Sequence, residues 1–333
     1  MDSDELEKKI VPLARADIAL DIITILRQMG EDVYGMVEEA EFPLSVLERQ
    51  HTVISEEAWH LLLAVIGRRI GISGFSTLSK IFCNEVYIPR FIDGGQGCLT
   101  QVLEEVLDIS NSLSVYQRVK LRQLAGHVWL VQEKKYVNSE TQVYAEQLVV
   151  TFLIELIRIL SDNNRWNPGA ISMQCSDVSD SFSSFFSGSK IFCSRSVTAI
   201  QIPTDLVMAN VTLLGSREWL IDRARIRTEG FVANFRLALK PFVGAGRFSI
   251  KQAAPLVGLS VRSLQRKLDA EGVSYSTIVE ELLREQMKMQ VGETERTFTE
   301  ISMLMGYSDG AHFSRAFKKL MGLTPKQYRA QQH

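Results

Sequence analysis

Two stretches of the chain share one pattern: Gly258–Gly272 reads GLSVRSLQRKLDAEG and Gly306–Gly322 reads GYSDGAHFSRAFKKLMG. When Ser260 is aligned with Asp309, each copy has a glycine followed by a small polar residue of the kind that starts a helix. The aligned pairs that follow are Leu264 with Phe313, Arg266 with Arg315, and Leu268 with Phe317. Apolar residues four apart lie on one face of a helix. The chain must therefore accommodate the same amphipathic helical unit twice.

A shorter helix signal precedes each copy. Ser249–Gln252 (SIKQ) and Thr297–Glu300 (TFTE) fit the capping box, in which the first and fourth side chains satisfy each other's free amides. Each begins a short apolar segment that ends at Gly258 or Gly306, since glycine supplies the left-handed conformation that stops a helix. A short helix, a tight turn and a second helix make a helix-turn-helix. We place the two units at about 249–272 and 297–322.

The outward faces of the two second helices carry the candidate DNA-binding residues. An arginine one turn into such a helix can fork onto guanine O6 and N7, and a glutamine can pair with adenine. Lys318 suits a phosphate contact that positions the helix, and His312 can touch a phosphate. A solvated lysine and a partly buried histidine are the ordinary alternatives for these two. The predicted base-facing residues are Arg262, Gln265, Arg266, Ala311, Ser314 and Arg315.

A single long helix is predicted between the two units. The segment SYSTIVEELLREQMKMQVGE favours a helix of up to roughly 18 residues, about 27 Å long at 1.5 Å per residue. Successive major grooves lie about 34 Å apart along one face of a duplex. Two second helices held at that separation can enter adjacent grooves, so one chain could read both without dimerising.

The charge distribution supports a polyanionic partner for the C-terminal third. The 333-residue chain has a net charge of -2, yet residues 225–333 hold 17 Lys+Arg against 10 Asp+Glu. The remaining residues hold 20 against 29. A basic region on an acidic body favours nucleic acid as its partner. The 46% apolar and 23% charged residues are typical of a soluble globular protein of this length with two domains.

The rest of the chain predicts an α+β body. Residues 1 to about 110 show helical periodicity, 117–138 alternate as a β-hairpin, and a buried helix follows near 142–162. Short β-like runs among serines come next. The predicted fold is an α+β N-terminal sensor or dimerisation domain followed by an all-α domain with two helix-turn-helix units joined by a linker helix. Its predicted bounds are 1–215 for the first domain, 216–230 for a linker and 231–333 for the second domain.

Several classes of protein are not indicated. The acidic N-terminus does not resemble a signal peptide, and the apolar run Leu148–Leu160 contains Glu155 and Arg158 and is too short to span a bilayer. The four cysteines have no metal-ligand spacing and are interpreted as scattered reduced thiols. No nucleophile elbow, phosphate loop or HExxH motif occurs. We therefore predict a cytoplasmic protein that is not an enzyme and has no metal, cofactor or membrane partner.

The C-terminal residues resemble the AraC/XylS family of bacterial transcription regulators. The resemblance rests on GLSVRSLQRKLDAEGVSY and on EISMLMGYSDGAHFSRAFKKLMGLTPKQYR, and it covers roughly 231–331. The family's closing motif falls on Gly322, Thr324, Pro325, Tyr328 and Arg329. More loosely, the hairpin, the helix near 145–160 and the segment FFSGSKIFCSRSVTAIQIPTDLV are similar to the arabinose-binding-like N-terminal domain of one AraC subgroup.

This resemblance implies a sequence-specific regulator of transcription, with activation favoured over repression. It implies promoter DNA and RNA polymerase as partners, and a small-molecule effector or a homodimer acting through the N-terminal domain. The family's base-facing positions fall on the six residues given above. The chain departs from the family at Pro255, inside the first short helix, at Met287 and Gln290, and at the Gly310–Ala311 pair.

Two other classes of function stay open at this point. One is an alkyl-transfer DNA-repair enzyme that uses the same two helix-turn-helix units to bind DNA. Such an enzyme requires an activated cysteine beside zinc. The other is a ligand-binding module with a degenerate reader, which Pro255 and the Gly310–Ala311 pair favour.

Overall fold

The structure, a computed structural model, divides into two units. The N-terminal unit consists of Leu13–Thr52 and Ala58–Arg227, and the C-terminal unit of Thr228–His333 with Met1–Pro12 and Val53–Glu57. The predicted linker at 216–230 lies almost wholly outside the described residues. The residues that the structure describes are 11–47, 53–91, 95–113, 118–124, 126–134, 140–213, 230–244 and 248–332.

Helices dominate the chain up to residue 113, as predicted. Three strands of three or four residues were not predicted, because so short a run shows too little alternation to be recognised. The helices are α1 (Ala16–Gln28), α2 (Val33–Glu39), α3 (Leu44–Leu47), α4 (Glu56–Ile81), α5 (Ile88–Phe91) and α6 (Leu99–Leu113), and the strands are β1 (Leu13–Arg15), β2 (Val53–Ser55) and β3 (Gly95–Cys98).

The long helix α4 is interrupted at Gly71, whose φ of +62° a residue with a side chain rarely adopts. Within the described residues, the helical stretch Glu56–Tyr87 is the one candidate to cross a membrane by length and composition. Core helices meet the same criteria, and Ile66 and Phe75 on this stretch are fully buried. Such burial is that of a helix packed inside a folded unit.

A five-stranded sheet follows, with strand order β4-β5-β8-β6-β7. β4 and β5 form the predicted hairpin, in which Leu124 pairs with His127 across the turn. β6 and β7 are parallel, whereas the other neighbours are antiparallel. A separate antiparallel pair joins β3 to β9. The strands are β4 (Arg118–Leu124), β5 (His127–Glu133), β6 (Ala170–Ser172), β7 (Lys190–Phe192), β8 (Thr198–Ile202) and β9 (Asn210–Leu213).

The predicted buried helix is α7 (Glu140–Leu160), which packs against β8. Its charged residues are tolerated because they are paired. Glu155 accepts hydrogen bonds from Ser76 Oγ at 2.7 Å and from Arg158 Nη1 at 2.7 Å. A buried carboxylate satisfied in this way costs far less than an unpaired one. Two short helices complete the region, α8 (Asp180–Phe185) and α9 (Thr204–Val207).

The described part of the C-terminal unit beyond residue 230 is helical, as predicted. An opening helix is followed by six more, the third of which, α13, is the predicted 18-residue linker helix. The helices are α10 (Phe231–Leu239), α11 (Ile250–Ala253), α12 (Val261–Ala270), α13 (Tyr275–Gly292), α14 (Phe298–Leu304), α15 (Gly310–Met321) and α16 (Pro325–Gln332).

The position of Pro255 suggested a kink inside a continuous short helix, but the helix has already ended before this residue. The α-helix α11 ends at Ala253, and Pro255 begins a 3₁₀ turn that runs to Val257. The first position of such a turn needs no N–H donor, and the fixed φ of proline suits it. The first short helix is thus divided into two short helical turns.

The linker helix α13 contributes to the cores of both ends of the unit. Its first half supplies the buried Ile278 and Leu282, and its second half supplies Met287 and Val291. Met287 and Val291 join a closed apolar cluster with Ile301, Met305, Phe313 and Phe317. The second half of α13 is therefore packed into the second helix-turn-helix unit.

Candidate nucleic-acid interface

The two tight turns have the same backbone geometry. Gly258 has φ +64° and Gly306 has φ +68°. In each turn, the glycine N–H donates to a carbonyl three residues back, and the next N–H donates to a carbonyl five residues back, which is the pattern of a glycine helix stop. The bonds are Gly258 to Pro255 (3.0 Å), Leu259 to Ala254 (3.1 Å), Gly306 to Met303 (3.0 Å) and Tyr307 to Ser302 (2.8 Å).

The second helices begin at the predicted residues. Ser260 Oγ accepts from the Ser263 N–H at 3.1 Å, and Asp309 Oδ1 accepts from the His312 N–H at 2.6 Å. Each starter therefore caps an amide that has no partner within the helix. The second turn is one residue longer than the first, because Asp309 stands three positions after its glycine and Ser260 two.

Removing the Asp309 carboxylate should weaken the start of α15 in a pH-dependent way. The His312 N–H bond, the largest cause, lowers the pKa of Asp309 below its ordinary value of 3.8. Since the folded-state pKa is the lower one, the stabilisation is complete above the ordinary value and is lost as the pH falls through the folded value. We expect the melting temperatures of Asp309→Ala and wild type to differ most near neutral pH and to draw closer as the pH falls below about 4.

Circular dichroism melts from about pH 6 to about pH 3 test this expectation. Asp309→Asn is the matched control, because it keeps an accepting oxygen at the cap but does not titrate in this range. If the melting temperature of wild type exceeds that of Asp309→Ala by the same amount at both ends of this pH range, the charged carboxylate of Asp309 does not stabilise the start of α15.

The inward faces match as predicted. Leu264 and Leu268 of α12, and Phe313 and Phe317 of α15, are each at most 1% exposed. In the second helix-turn-helix, the centre of the Phe317 ring lies 5.9 Å from the ring centre of Phe313 and 5.5 Å from that of Tyr328. These contacts orient each helix about its axis and so determine which residues face outward.

On α12, Arg262, Gln265 and Arg266 are all exposed. Within the described part of the chain, neither arginine forms a hydrogen bond or an ion pair. Lys267 differs, because its ammonium lies 4.7 Å from the centre of the Phe231 ring on α10. The helix α12 thus presents two arginines and a glutamine side by side, on the face opposite its buried leucines.

On α15, Ala311, His312, Arg315 and Lys318 are exposed, but fewer of them are suited to reading bases. Ser314 is half-buried, and its hydroxyl donates to the Gly310 carbonyl at 2.7 Å. His312 approaches Ser308 Oγ at 3.3 Å through Nδ1, and its ring packs edge-on against Tyr307. On this face Arg315 carries the forked guanidinium donors that suit guanine O6 and N7.

Comparison with known proteins agrees with this geometry. Residues 253–331 match a family described as a helix-turn-helix domain. The chain is 32% identical over 85 residues to the HTH-type transcriptional regulator VirS of Mycobacterium tuberculosis, which is 26% of this chain and 25% of VirS. It is also 32% identical over 80 residues to the ornithine utilization regulator of Pseudomonas aeruginosa, 24% of each chain. Residues 253–331 of this chain form a helix-turn-helix domain.

Solved structures of similar proteins include a Chromobacterium violaceum transcriptional regulator with an AraC-type DNA-binding domain. It is 25% identical, covers 30% of this chain and 91% of its own, and has a TM-score of 0.27. The regulator CdpR of Pseudomonas aeruginosa is 13% identical over 93% of this chain and 96% of its own, with a TM-score of 0.31. The matched region spans about a quarter of the length of the curated relatives VirS and the ornithine utilization regulator.

Arg329 links several segments of the helix-turn-helix domain, a role that the sequence did not indicate. From α16 its guanidinium donates to the Val291 carbonyl at 2.8 Å and to the Arg296 carbonyl at 2.8 Å, and it lies 4.5 Å from the centre of the Phe298 ring. A cation on the last carbonyls of a helix also complements the helix dipole. Arg329 thereby fixes the end of α13 against the start of α14.

The helix-turn-helix domain also accommodates two linker-helix residues that depart from the pattern expected above, Met287 and Gln290. Met287 is fully buried in the second core, where a flexible thioether can fill the space between aromatic rings. Gln290 is 3% exposed, and its Oε1 accepts from Arg296 Nη1 at 3.1 Å. In the interior, Met287 is therefore packed among apolar side chains, and Gln290 is hydrogen-bonded.

Proposed function

We propose that this chain is a sequence-specific regulator of transcription that binds double-stranded DNA through α12 and α15. The observation that carries the proposal is the repeated unit. Two glycine turns with the same hydrogen bonds are each followed by a helix with a buried apolar pair and an exposed arginine, Arg266 or Arg315. A helix with its apolar face buried and polar donors near its start is suited to a major groove about 12 Å wide.

The spacing supports binding to successive grooves of one duplex. The linker helix α13 has 18 residues and is about 27 Å long. Successive major grooves on one face lie about 34 Å apart. One copy of the chain then occupies an asymmetric site of two blocks about one helical turn apart.

We further propose that α12 contributes more to base recognition than α15 does. On α12, Arg262, Gln265 and Arg266 offer a row of donors and acceptors to base edges. On α15, Gly310 and Ala311 lack such groups, and the Ser314 hydroxyl is engaged by the helix backbone. His312 and Lys318 then serve mainly to anchor α15 on the DNA backbone, and Arg315 is left for base contact.

The relatives named as transcriptional regulators support a regulatory role for the whole chain. We propose that the N-terminal unit senses a small molecule or mediates dimerisation, that the chain activates transcription through RNA polymerase, and that it acts in the cytoplasm. A ligand-binding module with a degenerate reader is the second candidate, because the face of α15 is poor in base-reading groups. Sequence preference on DNA separates these two.

Phosphate anchoring by Lys318 gives a first test. A lysine on a phosphate releases about one counterion, so Lys318→Gln should weaken binding to all duplexes alike and reduce the slope of log K against log salt by about 1. Lys190→Gln is the matched control, since it removes one lysine from β7 of the other unit. Titration of a labelled duplex between about 50 and 200 mM salt measures both slopes. An unchanged slope for Lys318→Gln would place Lys318 away from the DNA.

A further inference from the structure

The ends of β6 and β7 bring together two cysteines that are distant in sequence, Cys175 and Cys193. The Met173 N–H donates to the Phe192 carbonyl at 2.8 Å, and the Ser194 N–H donates to the Cys175 carbonyl at 2.8 Å. Ser194 has φ +56°, which bends the chain back toward Cys175. Both cysteines are free, and Cys193 adjoins Ser194, whose N–H bonds to the Cys175 carbonyl, so the two residues lie on neighbouring segments of the chain.

The two thiols have unequal surroundings. Cys175 is 4% exposed and lies against the buried carboxylate of Glu146, which accepts from the Gln174 N–H at 2.7 Å and the Cys175 N–H at 3.1 Å. Burial, followed by the charge of Glu146, raises the pKa of Cys175. Burial, followed by the charge of Asp177, raises the pKa of Cys193, but the hydrogen bond from Cys175 opposes this rise. Cys193 is also the more exposed thiol, so it is the one that meets a reagent in solution.

We propose that Cys175 and Cys193 are an oxidation site that closes to an intrachain disulfide when the protein meets a peroxide. The Cys193 thiol gives up its proton to solvent and its sulfur attacks one peroxide oxygen. An S–O bond forms, the O–O bond breaks, and the leaving hydroxide takes up a proton to become water. The Cys175 sulfur then attacks the Cys193 sulfenic acid, the S–O bond breaks, and the Cys175 proton leaves with the oxygen as water. Two thiols and one peroxide give one disulfide and two waters.

The disulfide would join the two ends of the segment that runs from Cys175 to Cys193. That segment carries α8, and its Phe182 is fully buried, as is Phe186 just beyond the helix. Phe182 and Phe186 pack edge to face with ring centres 5.0 Å apart. The segment is therefore already folded with the two thiols adjacent, which removes most of the ordering cost of closing the bond.

Peptide mapping of the full-length protein tests the proposal. Reduced protein is freed of reductant, treated with hydrogen peroxide, alkylated and digested with trypsin without reduction. Trypsin cuts after Arg165, Lys190 and Arg195, so the two cysteines fall on separate peptides, 166–190 and 191–195. We expect these peptides to appear joined, with a mass lower by two hydrogen atoms than their sum, and to separate after reduction.

Two variants sharpen the result. Cys193→Ser, at the more exposed position, should abolish the joined peptide, and its circular dichroism spectrum shows whether the fold is retained. Cys98→Ser removes a partly exposed thiol elsewhere and should leave the joined peptide unchanged. Recovery of both cysteines as alkylated thiols after peroxide, or of Cys193 only as a higher oxide or joined to another cysteine, would overturn the proposal.

Discussion

Replacing Phe317 with alanine is expected to destabilise the second half of the C-terminal unit by about 3–5 kcal/mol. The side chain is fully buried among Met287, Val291 and Phe313, and it packs against Tyr328. Its removal leaves a cavity shared by α13, α15 and α16, and these helices cannot close it without losing their other contacts. Hydrogen exchange of the peptides from α14 to α16 measures the loss as a lower free energy of local opening. It is preferable to fluorescence, because none of the four tryptophans lies in this unit.

Two controls show whether burial is the cause. Phe317→Leu keeps most of the volume and should cost less than half as much. Met303→Ala removes a large apolar side chain from α14 that is 71% exposed, and it should change the opening free energy by at most about 0.5 kcal/mol. Equal losses for Phe317→Ala and Met303→Ala would contradict the assigned inward face of α15, and with it the set of residues that face outward.

The double substitution Arg266→Ala/Arg315→Ala is expected to weaken binding to the preferred duplex by about 2–6 kcal/mol. Each bidentate contact to a guanine is worth about 1–3 kcal/mol, and contacts in separate grooves are nearly additive. Binding to unrelated duplexes should change much less, because it depends on phosphate contacts, which both substitutions leave in place. The ratio of specific to non-specific affinity therefore measures the effect, by fluorescence anisotropy at fixed salt.

The matched control removes two arginines from the other unit. Arg68 and Arg69 pair with Glu39 at the surface of the N-terminal unit, at 3.3 Å and 2.8 Å. Arg68→Ala/Arg69→Ala changes the net charge of the protein by the same amount, and it should leave the affinity ratio unchanged. If both double variants lower the ratio equally, the arginines act through net charge and not through base recognition.

The features that the sequence predicted well are local ones. A glycine that must adopt positive φ, as at Gly258 and Gly306, and a starter that must cap an amide, as at Ser260 and Asp309, are recognisable from a few neighbouring residues. The spacing of Phe313 and Phe317 likewise determines which side of α15 is buried. The hairpin and the linker helix were predictable for the same reason, since each has a clear period over many residues.

The features that the sequence could not predict depend on residues that meet only in the folded chain. Arg329 binds carbonyls on α13 and in the following turn, and no local pattern identifies those partners. Cys175 and Cys193 were interpreted as scattered thiols because their contact arises from two adjacent strands. The bond from the Ser314 hydroxyl to the Gly310 carbonyl likewise depends on the folded helix, and Ser314 stays a predicted DNA contact. The DNA contacts themselves remain predictions.

Selection of bound duplexes from a random DNA pool tests the central claim most directly. The purified full-length protein and its Arg266→Ala/Arg315→Ala variant are compared at two salt concentrations, because phosphate contacts alone give salt-sensitive binding without sequence choice. The proposed function predicts a motif of two blocks about one helical turn apart, more strictly specified in the block bound by α12, and lost in the variant. Recovery of no motif, with salt-sensitive binding that is the same in both proteins, would contradict it.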